Sequence, residues 1–367
     1  MTNNPQMLSE PPTADKLPWA PLYSILRSNK PEITVYGIAF VWAENRSAQN
    51  NSGLALLRVG DTRSPLWSRS LLKPFQLMVL YPVLKEAYPT LNVEHWAMLM
   101  ASHLSEARQM QLLQEIMDLG GLTSQDLQCP SISARSQEAD KASPLYHPCC
   151  GKHLAHLLYL KAKGLALNSY LDAKQEPYHL LRELLQYLLY MDELPETQDG
   201  CGMPNLGLSP VEMAQLYHAL VTPVSRDMIR QCPDELTEIL TCWDEIASIM
   251  QQAPELIGGT QALDTRLMKS QLPGQLTGNP PTPLIAKTGA AGLLCMGIGP
   301  TSRFSDGLGI FIKLAAGHAN TPMETVIQKI LCQLGFTDEE SPATDSVTQN
   351  DFYFDIQLTE SKAGSPA

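Results

Sequence analysis

Ser70 and Lys73 stand three residues apart, Ser102 follows Ala101, and Lys287 opens Lys287-Thr288-Gly289 near the far end of the chain. A serine beside a lysine supplies a nucleophile without histidine, because an amine kept neutral by desolvation or a neighbouring cation can take the hydroxyl proton. Two serines and two lysines give two such pairs. Two further patches, Cys149-Cys150-Gly151-Lys152-His153 and Asp199-Gly200-Cys201-Gly202, share the same chemical vocabulary, and the five together read as an active site. Singly they say little: a lysine at a strand end is usually solvated, a glycine usually turns the chain, and Asp199 before Gly200 is also the pattern of an Asx turn.

Elements must bring these patches together. Ile33 to Trp42 is β-branched and aromatic, and Gly53 to Val59 is a second apolar run, which predicts a hairpin. Residues 1–31, rich in Pro, Asn, Ser and Thr, read as a flexible arm. From Pro74 to about Ser270 the apolar residues recur at helical spacing, as in Met110, Leu113, Ile116 and Met117. Strands return at Leu284 to Ala286, Gly292 to Ile298, Gly307 to Leu314 and Phe352 to Leu358, with a helix over 321–334. The expected division is a sheet lobe from 33–68 and 280–358, a mainly helical lobe from 69–279, an exposed acidic loop at 338–349 and a flexible tail at 359–367. Pro74 suits a first helical turn and biases Lys73 away from α geometry, so Ser70 and Lys73 should meet in the turn that opens a helix.

Bulk properties set the bounds. A length of 367 residues accommodates a large core, and 44% hydrophobic with 17% charged residues is the composition of a folded globular protein. The net charge of −12 repels phosphate backbones, so nucleic acid is not an expected partner. No apolar run reaches the length of a membrane span, and the first 23 residues lack a signal-peptide pattern, which leads us to expect a cytoplasmic protein without a membrane partner. Eight cysteines scattered over the chain are expected as thiols, a few of them as ligands.

An antiparallel α/β sheet built from both chain ends around a helical middle, with Ser-x-x-Lys early and Lys-Thr-Gly on a late strand, resembles the serine β-lactamase and penicillin-binding superfamily. The flanks carry a closer resemblance: Arg69-Ser70-Leu71-Leu72-Lys73-Pro74-Phe75-Gln76, Ala101-Ser102-His103, Asp199-Gly200-Cys201-Gly202-Met203-Pro204, Asp264-Thr265-Arg266-Leu267-Met268 and Ala286-Lys287-Thr288-Gly289-Ala290. In this order they resemble the rhizobial-type L-asparaginases, the asparaginase II family, from about Ile33 to Leu358. The resemblance implies a serine β-lactamase-like fold and hydrolysis of asparagine, a small amino-acid amide, to aspartate and ammonia. It implies Ser70 with Lys73 and Ser102 with Lys287 as catalytic pairs, a homodimer, and a zinc site on Cys149, Lys152 and Cys201. Lysine is a rare ligand, yet Cys149 and Lys152 can face one ion from the start of a helix and Cys201 can close on it from a turn. Arg69, His103, Asp199 and Gly289 complete the expected site as substrate-binding residues, Gly289 by letting substrate approach the backbone.

Departures from the family pattern cluster near these positions. Leu104 stands where a small residue is usual, Gly289-Ala290-Ala291-Gly292 lacks a carboxylate, and Ala316 replaces an aspartate. Three readings therefore stand side by side: an asparaginase-type amidohydrolase, a related Ser-Lys enzyme (glutaminase, peptidase or β-lactam-reactive), and a non-catalytic descendant that binds zinc or an amino acid.

Overall fold

The computed structural model of the protein describes residues 17–43, 53–133, 142–222, 226–270, 282–317, 320–337 and 348–356. Strands β1 (Ala20–Arg27), β2 (Lys30–Ala43) and β3 (Leu54–Val59) open the chain, and β4 (Leu66–Trp67) follows. A 3₁₀ turn, Arg69–Leu72, leads into α1 (Lys73–Ala87). The middle holds α2 (Val93–Leu99), α3 (Ala107–Gly120), α4 (Cys150–Ala162), α5 (Glu176–Leu189), β5 (Glu196–Gln198), β6 (Pro204–Leu208) and α6 (Pro210–Val221). Helices α7 (Arg226–Gln231), α8 (Asp234–Thr241), α9 (Trp243–Gln252), α10 (Pro254–Gly258) and α11 (Leu263–Lys269) complete it. The closing elements are β7 (Leu284–Gly289), β8 (Leu293–Ile298), β9 (Leu308–Leu314), α12 (Asn320–Gln333) and β10 (Thr348–Phe352).

Seven of these strands form one antiparallel sheet in the order β10-β1-β2-β9-β8-β7, with β3 also beside β2. It is drawn from both chain ends, as expected for a serine β-lactamase-like fold. Side-chain alternation sends Phe40, Leu293, Cys295 and Phe311 into the core shared with the helical layer, and Val41, Leu294, Met296 and Ile310 into a second core under α12. Both faces are therefore covered, which is why Ile38 to Val41 are all buried instead of alternating with polar residues. On the helical side Phe75 of α1 meets the rings of Tyr217 and Trp243 edge-on, which anchors α1. Among the described residues no helix is long and apolar enough to cross a membrane.

Several expectations need correction. Residues 20–31 are not an arm: β1 pairs with β2 on one side and β10 on the other, and Leu22 and Tyr23 are buried. The polar texture of the residues before it hid a short strand that is itself mostly apolar, with Leu22, Tyr23, Ile25 and Leu26. Residues 1–16 and 357–367, including the expected tail, lie outside the described residues. The final strand is Thr348–Phe352 instead of Phe352–Leu358, so the last two residues of the expected loop belong to it, while 338–347 lie outside the described residues. The helical middle also carries a small sheet, β4-β6-β5. Finally, Lys73 adopts α geometry (φ −57°, ψ −40°) despite the following Pro74. Burial of its side chain, with every ammonium proton bonded, outweighs that local preference.

Candidate active site

A cavity of about 890 Å³ opens between the sheet and the helical layer, lined by Arg69, Ser70, Ser102, Cys149, Asp199, Cys201 and Gly289 among others. The turn that presents Ser70 is held from outside. Arg69 has left-handed backbone (φ +50°), uncommon for a residue with a side chain. Its N–H donates to Asn205 Oδ1 at 2.9 Å, and Ser68 Oγ donates to the same oxygen at 3.2 Å and to Leu206 O at 2.8 Å. Strand β6 thus clamps the bend that turns Ser70 toward the cavity.

Lys73 lies behind that wall, fully buried. Its Nζ donates to Ala101 O at 2.5 Å, Ser102 Oγ at 2.9 Å and Pro148 O at 3.1 Å. The sequence pairs Lys73 with Ser70, yet all three bonds go elsewhere. A buried ammonium needs an acceptor for each of its three protons, and the Ser102 loop with Pro148 offers three. Burial pushes Lys73 down to about 8, with the charges of Lys287 and Lys152 acting the same way and Cys149 opposing them. Such an amine exchanges a proton near neutral pH.

Lys287 enters from β7 and is likewise fully buried. It does not bond to Ser102. Its Nζ donates to Asp264 Oδ2 at 3.3 Å and Thr288 O at 3.0 Å. The second expected pair is therefore replaced by a lysine–carboxylate pair.

The thiol patch lies beside this wall. Gly151 lets α4 begin against α2, since a Cβ there would sit 1.9 Å from Met98 O. Cys149 and Cys201 both line the cavity, and Lys152 is buried beside them, 4.0 Å from Asp199. The neighbouring Cys201, then the charges of Lys73 and Lys152, hold the Cys149 thiol well below its ordinary value against burial. Cys201 is pushed up by its neighbour Cys149 and by burial. Burial works against the Lys152 charge, but Cys149, Cys201 and Asp199 outweigh it and raise the group. Among the described residues no three His, Cys, Asp or Glu side chains are grouped to hold a metal, and this set supplies two sulfurs and an amine. Two thiols, one inclined to thiolate, with a buried amine beside them form a donor set that fits zinc.

Asp199 sits in a turn, where its Oδ1 accepts from Gly200 N at 2.8 Å and pairs with Arg69 at 3.1 Å. Its other oxygen lies 4.0 Å from Lys152. Gly289 lines the cavity, and a Cβ there would also press on Leu293 at 3.1 Å. His103 is fully buried and does not line the cavity. Its Nδ1 accepts from Ser105 N at 3.2 Å, and burial pushes it down to about 4, which makes it a neutral structural imidazole. Leu104 and Ala291 do line the cavity, so the departures from the family pattern shape its wall. Sequence reasoning missed Asn205 and gave Asp264 no chemistry. Neither has a spacing rule, because their partners come from residues more than twenty positions away in the chain.

Two serines and two buried lysines at one cleft between a sheet and a helical layer are the equipment of a hydrolase, here one of the amidohydrolase class. The L-asparaginase II family model matches residues 25–356, and the chain belongs to that family. No curated protein matches it significantly. Among solved structures, a probable glutaminase from Bacillus subtilis complexed with 6-diazo-5-oxo-L-norleucine is 12% identical, with 82% of this chain and 85% of that chain covered and a TM-score of 0.37. A Bacillus glutaminase in the presence of 4.3 M NaCl is 12% identical, covering 82% and 91% with a TM-score of 0.36. A Bacillus subtilis glutaminase in covalent complex with 5-oxo-L-norleucine is 13% identical, covering 82% and 89% with a TM-score of 0.37.

Proposed function

We propose that the protein releases ammonia from the side-chain amide of L-asparagine through a serine acyl-enzyme. The observation that carries this reading is Lys73: a buried amine near 8, bonded at 2.9 Å to Ser102 and three residues from Ser70 on the same cavity wall. Ser70 Oγ attacks the amide carbon as Lys73 in its neutral form takes the hydroxyl proton. The C–N bond then breaks, and the proton passes from Lys73, through Ser102, to the departing ammonia. Water attacks the ester, gives its proton to Lys73 and leaves aspartate, while Ser70 regains its hydroxyl proton. Arg69 on the wall binds the substrate α-carboxylate and Asp199 its α-ammonium, each giving up part of its bond to the other. Zinc held by Cys149, Lys152 and Cys201 would supply fixed positive charge beside this wall.

The Lys73–Ser102 bond also favours a second reading, in which Ser102 is the acylated residue. The deciding assay is ammonia release from L-asparagine and L-glutamine, with bound zinc measured on the same sample. Turnover of asparagine that Ser70→Ala abolishes supports the proposal. Turnover that survives Ser70→Ala and fails in Ser102→Ala selects the second reading, and no release from either amide rejects both.

A further inference from the structure

Asp264 sits at the start of α11, fully buried, and the steps above give it no part. Its carboxylate gathers four donors. Oδ2 accepts from Lys287 Nζ at 3.3 Å, Thr288 N at 3.2 Å and Thr288 Oγ1 at 3.0 Å, and Oδ1 accepts from Thr265 N at 3.2 Å. A carboxylate so deep is tolerated only with partners of this kind, because desolvation otherwise outweighs the attraction. The backbone makes room for it: a Cβ at Gly258 would fall 2.2 Å from Asp264 Oδ1. Gly258 is itself part of the cavity wall, and Ile257 O beside it accepts from Ser102 N at 2.7 Å. One short stretch, 257–264, therefore fastens Ser102 at one end and the Lys287-Thr288 strand at the other. Thr265 Oγ1 ties the stretch to itself through Pro254 O at 2.9 Å and Gly259 O at 2.7 Å.

We propose that Asp264 is a positioning residue of the catalytic centre, which fixes the Lys287 ammonium and holds the Thr288 peptide and hydroxyl in the cleft wall. Its effect on turnover rests on the amidohydrolase reading; the ion pair does not. Because Thr288 N is bound to Asp264, that amide is not free to hold an oxyanion, and Thr288 shapes the wall instead of binding substrate through its N–H. Lys287 then acts as a fixed positive charge, leaving Lys73 as the group that moves protons.

The variant Asp264→Asn keeps the size of the side chain and removes its charge. It is expected to lower kcat by about 100-fold with KM little changed, and to move the alkaline limb of the kcat profile to lower pH by about one unit, since the buried ammonium has lost its counter-charge. Thr288→Val keeps the ion pair and is expected to leave that limb in place. A folded Asp264→Asn protein whose limb does not move would overturn the proposal, because a merely structural aspartate lowers stability without touching the profile. A substrate-free readout separates this from failure of the amidase reading: in protein carrying ¹³C at lysine Cε, the Lys287 signal, assigned by its loss in Lys287→Met, should titrate at lower pH in Asp264→Asn than in the unmodified protein. An unchanged titration overturns the proposal even if no amide is hydrolysed. If the variant does not fold, the unmodified protein decides: a Lys287 signal of the neutral amine near neutral pH contradicts the assignment.

Discussion

Lys73 and Lys287 are the same residue type, equally buried and at the same cleft, yet the two sides of the molecule treat them differently. The helical side gives Lys73 three neutral oxygens, and the sheet side gives Lys287 a carboxylate. Neutral acceptors satisfy the protons of an ammonium without offsetting the loss of water around its charge, whereas a carboxylate does both. The contrast fits the proposed roles: Lys73, whose hydrogen bonds all go to neutral oxygens and whose charge is offset only partly by Cys149, is the lysine suited to move protons, and Lys287, bonded directly to a carboxylate, the one suited to stay in place.

Removing the first lysine should break the contrast most severely. Lys73→Met is expected to lower kcat/KM by roughly 10⁴-fold, at the upper end of what a general base contributes, measured as ammonia release by a protein with an unchanged melting temperature or a higher one. Giving Lys73 a carboxylate of its own should come next. In Ser102→Asp the base acquires the environment of Lys287, so activity at neutral pH should fall by about 100-fold and the rising limb of kcat/KM should move to higher pH; in Ser102→Ala the rate falls and the limb stays.

The unmodified enzyme offers a milder test. Its kcat/KM should rise with pH through an inflection near 8, on the acid side of the alkaline limb, because the neutral amine is the working form and burial holds Lys73 at about 8. The same shift predicts stability. Between about 8 and the ordinary lysine value of 10.5 the unfolded chain keeps a proton that folded Lys73 has lost, so this group's contribution rises with pH across that window and is flat below it. Urea melts at three pH values would show the slope.

Asn205→Ala removes the acceptor for Arg69 N and Ser68 Oγ. It should cost about 1–3 kcal/mol of stability, as expected when buried donors lose their partner, and should raise KM as Arg69 loses its bend. The smallest effect is expected at Ala291, whose backbone is left-handed (φ +65°). Ala291→Gly should stabilise the fold by up to about 1 kcal/mol, visible as a small rise in melting temperature.

Much of this was legible from residues alone. The hairpin of β2 and β3, the helical middle and the returning strands followed from apolar spacing, and the motifs named Ser70, Ser102, Cys149, Asp199, Cys201 and Gly289, all of which line the cleft. Two things were not legible. Strand β1 hid in a polar terminus because its pairing with β10 joins residues from opposite ends of the chain. The partners of the lysines were hidden because sequence proximity suggested Ser70 for Lys73, while the three-dimensional supply of acceptors, Ala101, Ser102 and Pro148, decided otherwise. Asp264 illustrates the same limit: a motif can be quoted without showing that its carboxylate reaches a strand more than twenty residues away.

The most direct test of the Ser70–Lys73–Ser102 centre is to map which residue acts as the nucleophile, by alkylation with substrate analogues that lose N2. Incubation with 5-diazo-4-oxo-L-norvaline and 6-diazo-5-oxo-L-norleucine, the diazoketone analogues of asparagine and glutamine, followed by peptide mass mapping, should place a single adduct on Ser70 and none in Lys73→Met. An adduct on a residue outside this trio, or undiminished labelling without Lys73, would contradict it.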